Sequence, residues 1–212
     1  RLHRGGIRGD ERREETLTEE QATVFFEIHK GLEREAPGSK EATARAFGAV
    51  PNAAAISRVV DAGCGPGPQT LQLARLTDAD IYAVDRHEPF LKSLRRRVDR
   101  HGLSHRVHVM NADMAQLPLE PGTVDLIWSE GAIYNIGFRR GLELWRPLLT
   151  SQGVVVVSEA TWLRLHPPAE IRDFWDAAYP SMATHEANET VVREAGFELL
   201  DSFLLPENAW WD

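Results

Sequence analysis

The chain has 212 residues, 42% of them hydrophobic and 26% charged, with a formal net charge of −8. These values fit one large soluble domain, or a domain with a cap, around a sizeable buried core. The acidic balance argues against a nucleic-acid partner, because phosphate-backbone binders carry a basic excess or stripe.

Residues Arg1 to Leu17 are charged and glycine-rich without periodicity, the pattern of a mobile arm. Thr18-Glu19-Glu20-Gln21 then has the capping-box pattern, followed by Val24, Phe25, Ile28 and Leu32 at helical spacing. Pro37-Gly38-Ser39 breaks that helix, and a second is predicted from about Lys40 to Val50. Residues 1–57 are therefore expected to form an arm and an N-terminal helical cap, and residues 58–212 the main domain.

From Arg58 onward short apolar runs alternate with amphipathic stretches. The runs are Arg58–Ala62, Ile81–Val84, Arg106–Met110, Val124–Trp128, Val154–Ser158 and Phe197–Leu204. Helices are predicted near Gln69–Leu76, Glu88–His101, Phe138–Leu149 and Glu186–Ala195. Val154-Val155-Val156-Val157 lacks alternation, as expected of a strand covered on both faces. The order predicts an α/β fold, a Rossmann-like doubly wound, mostly parallel sheet with helices on both faces.

Ligands in such sheets bind at the carboxyl ends of the strands, near the switch in strand order. Asp61 and the glycines of VVDAGCGPG end the first strand, and Asp85 ends the second. Asp113 follows the third, Ser129-Glu130 the fourth and Glu159 the fifth. A strand-end acid at Asp85 suits the two hydroxyls of an adenosine ribose. The glycine spacing Gly63-x-Gly65-x-Gly67 is not the G-x-G-x-x-G of pyrophosphate binders. Asp61, just ahead of the loop, would repel a pyrophosphate and suit an ammonium. An adenosine without phosphates and with a cationic tail fits, a description S-adenosylmethionine meets.

VVDAGCGPG, Ala83-Val84-Asp85, Asn111-Ala112-Asp113-Met114 and VDLIWSEGAIYNIGF at Val124–Phe138 resemble the motifs of class I S-adenosylmethionine-dependent methyltransferases. Within that class the fourth-strand motif is similar to a small-molecule, ubiquinone-biosynthesis-like subgroup. The resemblance covers about Arg58 to Leu204. It implies that backbone at Gly63, Gly65 and Gly67 passes close to the methionine part and ribose. It further implies Asp61 on the amino group, partly through water, and Asp85 on the ribose hydroxyls. Asp113 would meet the adenine amino group, Met114 and Arg86 would flank the ring, and Ser129 backbone would line the methionine tail. The implied cofactor is S-adenosylmethionine, with S-adenosylhomocysteine as product, and the implied partner a small-molecule methyl acceptor. The class normally carries a closing antiparallel strand for which the residues up to Asp212 leave no room. The chain also opens on Arg1, so a longer translated product is expected.

Glu130 is the first candidate general base and His185 the second, with Tyr134 beside them as a substrate contact. Methyl transfer needs a base only where the acceptor must lose a proton. Cys64 is the one cysteine, read as a small loop residue, which excludes a disulfide or thiolate metal site within the chain. His101, His105 and His108 lack ligand spacing on one helix face, and His166 reads as a surface residue, so no metal is expected. Arg95-Arg96-Arg97 reads as a solvated helix face. No apolar run approaches the ~18 residues of a membrane span, so no membrane partner and a cytoplasmic location are expected. Two rivals stand beside the methyltransferase: a nucleotide-dependent oxidoreductase, which the loop spacing disfavours, and a binding protein without a methyl acceptor.

Overall fold

The computed structural model describes Val24, Glu27, Ile28 and residues 31–210. The chain divides into two units, Arg1–Leu32 and Glu33–Asp212. In the first, Val24, Glu27 and Ile28 are helical and exposed, and the expected arm lies outside the described residues.

The second unit begins with a segment leading into helix α1, Lys40–Gly48. Its start follows from sequence: the Ser39 side chain accepts from Ala42 N at 3.1 Å, a side-chain cap on an otherwise orphaned donor. Strand β1 (Arg58–Ala62) leads through the glycine turn into α2 (Pro68–Leu76). Then come β2 (Asp80–Asp85), α3 (Glu88–Arg100), β3 (Val107–Asn111) and β4 (Val124–Ser129). Helix α4 (Phe138–Trp145) precedes β5 (Leu149–Val157). The five strands form one parallel sheet in the order β3-β2-β1-β4-β5. The order reverses between β1 and β4, so the crevice lies at their carboxyl ends.

Neighbouring residues along a strand point to opposite faces. Val59 and Leu126 join a core with Leu73, Leu91 and Leu94, whereas Val60 and Ile127 join one with Phe138, Leu142 and Trp145. Both faces are therefore covered, which is why these strands read as continuous apolar runs. Helix α1 belongs to this packing: Phe47 and Val50 are buried in the first of the two cores. From Lys40 onward the expected cap is thus part of the fold.

The Val154–Val157 run lies in β5 at the sheet edge. Val154 and Val156 pack on the first core and Val155 and Val157 on the second, so both faces are covered while the edge leaves all four only partly buried. One expectation needs correction. Phe197–Leu204 forms no strand. It alternates between half-buried and exposed residues over 197–200, which an extended segment shows whenever one side packs, with or without a partner strand. The stretch after β5 contains the helix expected near Glu186–Ala195, together with a further helix and a strand pair that were not expected. It holds α5 (Ala169–Ala178), α6 (His185–Glu194) and two paired strands, β6 (Thr161–Trp162) and β7 (Ala183–Thr184). Two-residue strands are too short to leave a periodic trace.

Candidate active site

The turn after β1 is held by the end of β2. Gly63 N and Cys64 N both donate to Val84 O at 2.9 Å. The Asp85 carboxylate then accepts from Gly65 N at 2.9 Å and from His87 N at 2.8 Å. A carboxylate has about four acceptor positions, so this one fastens two turns and keeps capacity for a ligand.

Gly63, Gly65 and Gly67 have φ of 76°, 52° and 81°, the left-handed region that favours glycine. Their surroundings differ. A Cβ at Gly67 would run into the Leu94 side chain, so its bareness serves the packing of α2 against α3. A Cβ at Gly63 would meet Ala132 Cβ, whereas at Gly65 it would reach only Glu35 Cγ, at 3.7 Å. Gly65 is therefore the glycine whose sequence neighbours and packing leave a ligand the most backbone.

Asp61 is fully buried, with Thr70 Oγ1 2.5 Å from one carboxylate oxygen and Gln69 Nε2 3.3 Å from the other. Burial pushes its pKa up to about 7; the Thr70 and Gln69 hydrogen bonds oppose this, and the charges of Glu130 and Asp85 add to it. The folded state thus keeps a proton on Asp61 at pH values where the unfolded chain, with an ordinary value of 3.8, has lost it. This contribution to stability is complete below the unfolded value and declines as pH rises through about 7. Asp61→Asn has no such proton. Its stability is therefore expected to gain on the parent between about pH 4 and about pH 8, measured by chemical denaturation at both ends. A parallel pH dependence in parent and variant would contradict the assignment. Burial likewise pushes the Cys64 thiol well up, which suits a packed loop residue.

The segment after β3 is fixed from beneath. The buried Trp145 donates its indole N–H to Met114 O at 2.9 Å, and Met114 itself is buried. Asp113 Oδ1 accepts from Ala115 N at 2.8 Å, while Oδ2 lies 3.5 Å from Arg86 Nη1. This brings together the residues expected to surround an adenine. Ser129 is fully buried, its carbonyl accepts from Ser158 N at 3.0 Å, and its Oγ has no partner among the described residues.

Glu130 is engaged on both oxygens. Oε2 accepts from Arg34 Nη1 at 2.7 Å, and Oε1 accepts from Thr43 Oγ1 at 2.6 Å and Trp128 Nε1 at 2.9 Å. Around it, a Cβ on Gly131 would strike Ala36, and one on Gly38 would lie 2.9 Å from Glu130 Oε2. The carboxylate expected as a base ties residues 34–43 to the end of β4. The other two candidates are not brought to it as a set. His185 is half-exposed at the start of α6, its Nε2 3.1 Å from Glu189 Oε1. Tyr134 is 45% exposed and sits edge-on to Tyr179 with ring centroids 5.9 Å apart.

Tyr179 had no assigned role in the sequence. Its hydroxyl donates to Glu159 Oε1 at 2.6 Å, and Glu159 stands just past the end of β5. The position of Glu159 at a strand end was the available signal; its partner, 20 residues away across α5, left none.

Residues 59–153 match the family described as "Methyltransferase domain". The chain is 26% identical over 153 residues to an uncharacterized methyltransferase of Bacillus subtilis, YodH, covering 71% of this chain and 64% of that protein. It is 25% identical over 158 residues to a sterol 24-C-methyltransferase of Aspergillus fumigatus, covering 68% of this chain and 40% of the relative. The chain thus spans less than two thirds of either relative's length. A crystal structure of a SAM-dependent methyltransferase from Thiobacillus denitrificans, in complex with S-adenosyl-L-homocysteine, superposes with a TM-score of 0.76 at 21% identity. The match covers 88% of this chain and 75% of that one.

Proposed function

We propose that this chain, whose residues 59–153 match a methyltransferase domain, is a class I S-adenosylmethionine-dependent methyltransferase that transfers a methyl group from S-adenosylmethionine to a small-molecule acceptor. The observation that carries the reading is the Asp85 carboxylate at the end of β2, fastened to Gly65 N beside an open stretch of backbone. The donor set fits the group. Asp85 retains acceptor capacity for two ribose hydroxyls. Asp113, with Arg86 and Met114 beside it, suits an adenine edge and face. Asp61, ionised as pH rises through about 7, can then present negative charge behind the turn to an ammonium, and the buried Ser129 Oγ has hydrogen-bonding capacity to spare.

When bound, S-adenosylmethionine supplies a methyl group made electrophilic by the adjoining sulfonium. The protein's part is alignment: the turn from Gly63 to Gly65 and the two carboxylates at Asp85 and Asp113 fix the nucleoside. Holding donor and acceptor in line supplies much of the acceleration. Glu130 is assigned a positioning role, holding residues 34–43 beside the loop that leaves β4.

Isothermal calorimetry tests this reading. The chain is expected to bind S-adenosylmethionine and S-adenosylhomocysteine and to give no heat with a nicotinamide dinucleotide. Affinity for the dinucleotide with none for the methyl donor would sink it.

A further inference from the structure

We propose that the methyl acceptor is an amine and that Glu159, steadied by Tyr179, is the catalytic residue that takes its proton. The proposal rests on the methyl-transfer reading and names the substrate class for the same site.

Glu159 stands at the end of β5, on the β4 side of the switch point, where an acceptor must lie to meet a methyl group held over β1 and β4. Of its two oxygens, Oε1 accepts from the Tyr179 hydroxyl. Oε2 is buried and has no hydrogen-bond partner among the described residues, and no ion pair among them involves Glu159. A buried carboxylate without a cation is costly and awaits a donor. An ammonium supplies both charge and hydrogen bond, whereas a neutral hydroxyl supplies only the bond.

The surroundings favour a cation too. The groove that includes Glu159 carries Asp125, Glu186, Glu198 and Asp201 on its walls, besides Glu130 and Glu189, which Arg34 and Arg193 already pair, and it has Arg164 as a guanidinium. The Tyr134 ring stands edge-on to Tyr179, and aromatic faces attract ammonium groups. Tyr134 is 45% exposed and can swing out without leaving a core position, so it is the side chain we assign to admitting the acceptor. Burial pushes Glu159 up to about 7, against the donated Tyr179 hydrogen bond, so the group exchanges a proton readily near neutrality. Burial and the neighbouring carboxylate push Tyr179 up as well, so its hydroxyl stays protonated and donating.

The step balances. Glu159 as carboxylate takes one proton from the ammonium, which frees the nitrogen lone pair. The nitrogen forms a bond to the methyl carbon as the carbon–sulfur bond breaks, and its electron pair returns to sulfur. The products are a methylammonium, a neutral thioether and a protonated Glu159 that returns its proton to solvent. Glu130 and His185 are the poorer bases, since the first is held by three donors and the second is paired at the surface.

The test supplies ¹³C-methyl S-adenosylmethionine to the full chain with a metabolite extract of the source organism and a panel of small amines, phenols and carboxylic acids. Mass-spectral fragments locate the label. Label on nitrogen is expected. Glu159→Gln should keep its calorimetric affinity for S-adenosylhomocysteine and lose at least about a hundredfold in turnover. Tyr179→Phe should keep that affinity and slow transfer by a smaller factor, which keeps the idea testable if the first variant is unstable. Label on oxygen or carbon, or Glu159→Gln at the parent rate, overturns the proposal. Cofactor binding without any labelled product also overturns it and leaves the cofactor assignment standing. Failure of the parent to bind the cofactor removes the underlying reading instead.

Discussion

Asp85→Ala is expected to lower affinity for S-adenosylmethionine by at least about a hundredfold. Hydrogen bonds to a charged group contribute about 1.5–3 kcal/mol each, and about 1.4 kcal/mol is a factor of ten. Two ribose hydroxyls would lose their acceptor. Gly65 N and His87 N would lose theirs in the same substitution, so the backbone that faces the ligand loosens as well. Asp85→Asn keeps one oxygen acceptor and should lose less. Calorimetry with S-adenosylhomocysteine reads the affinity, and far-ultraviolet circular dichroism checks the fold. A folded alanine variant with parental affinity would show that the ribose is held elsewhere.

Glu130→Ala is expected to cost about 3–5 kcal/mol of stability, the range for breaking one side of a buried ion pair. Arg34 and Glu130 are only 12% and 10% exposed at their side chains, and the Thr43 and Trp128 donors are buried beside them. Glu130→Gln retains an oxygen acceptor for the indole and hydroxyl but loses the charge and the acceptor for Arg34, so its loss should be smaller than that of the alanine variant. Urea unfolding measures both, and limited proteolysis should find cleavage between residues 33 and 39 in the alanine variant first. Turnover separates positioning from proton transfer: the glutamine variant should keep most of it, whereas loss comparable to Glu159→Gln would return Glu130 to the role of base. The effects of Glu130→Ala and Arg34→Ala should fall short of additivity, because either one breaks the same pair.

Much of the candidate cofactor site was legible without coordinates because it is built from short-range features. A strand ending in Asp61, glycines at alternate positions and a second strand ending in Asp85 are each local patterns. The parallel sheet then brings them together, pairing Asp61 with Ala83 and Ala62 with Val84 in register. Asp113 and Met114 follow in the same way from the end of β3. In all of these, the backbone conformation that the local sequence prefers is also the one the fold uses.

What the tertiary structure alone decided involves partners far apart in the chain. Glu130 looked like a free carboxylate beside a small-residue loop; an arginine 96 residues earlier and a threonine 87 residues earlier claim both its oxygens. Gly67 looked like a ligand-facing glycine, and Leu94 of α3 accounts for it. Glu159 and Tyr179 become a pair only because α5 turns the chain back on itself. Phe197–Leu204 had the alternation of a strand but no strand beside it. Local sequence sets what a backbone prefers and which side chains carry charge. Which charge meets which donor depends on contacts between segments distant in sequence, and those are fixed only when the two faces of the sheet are buried.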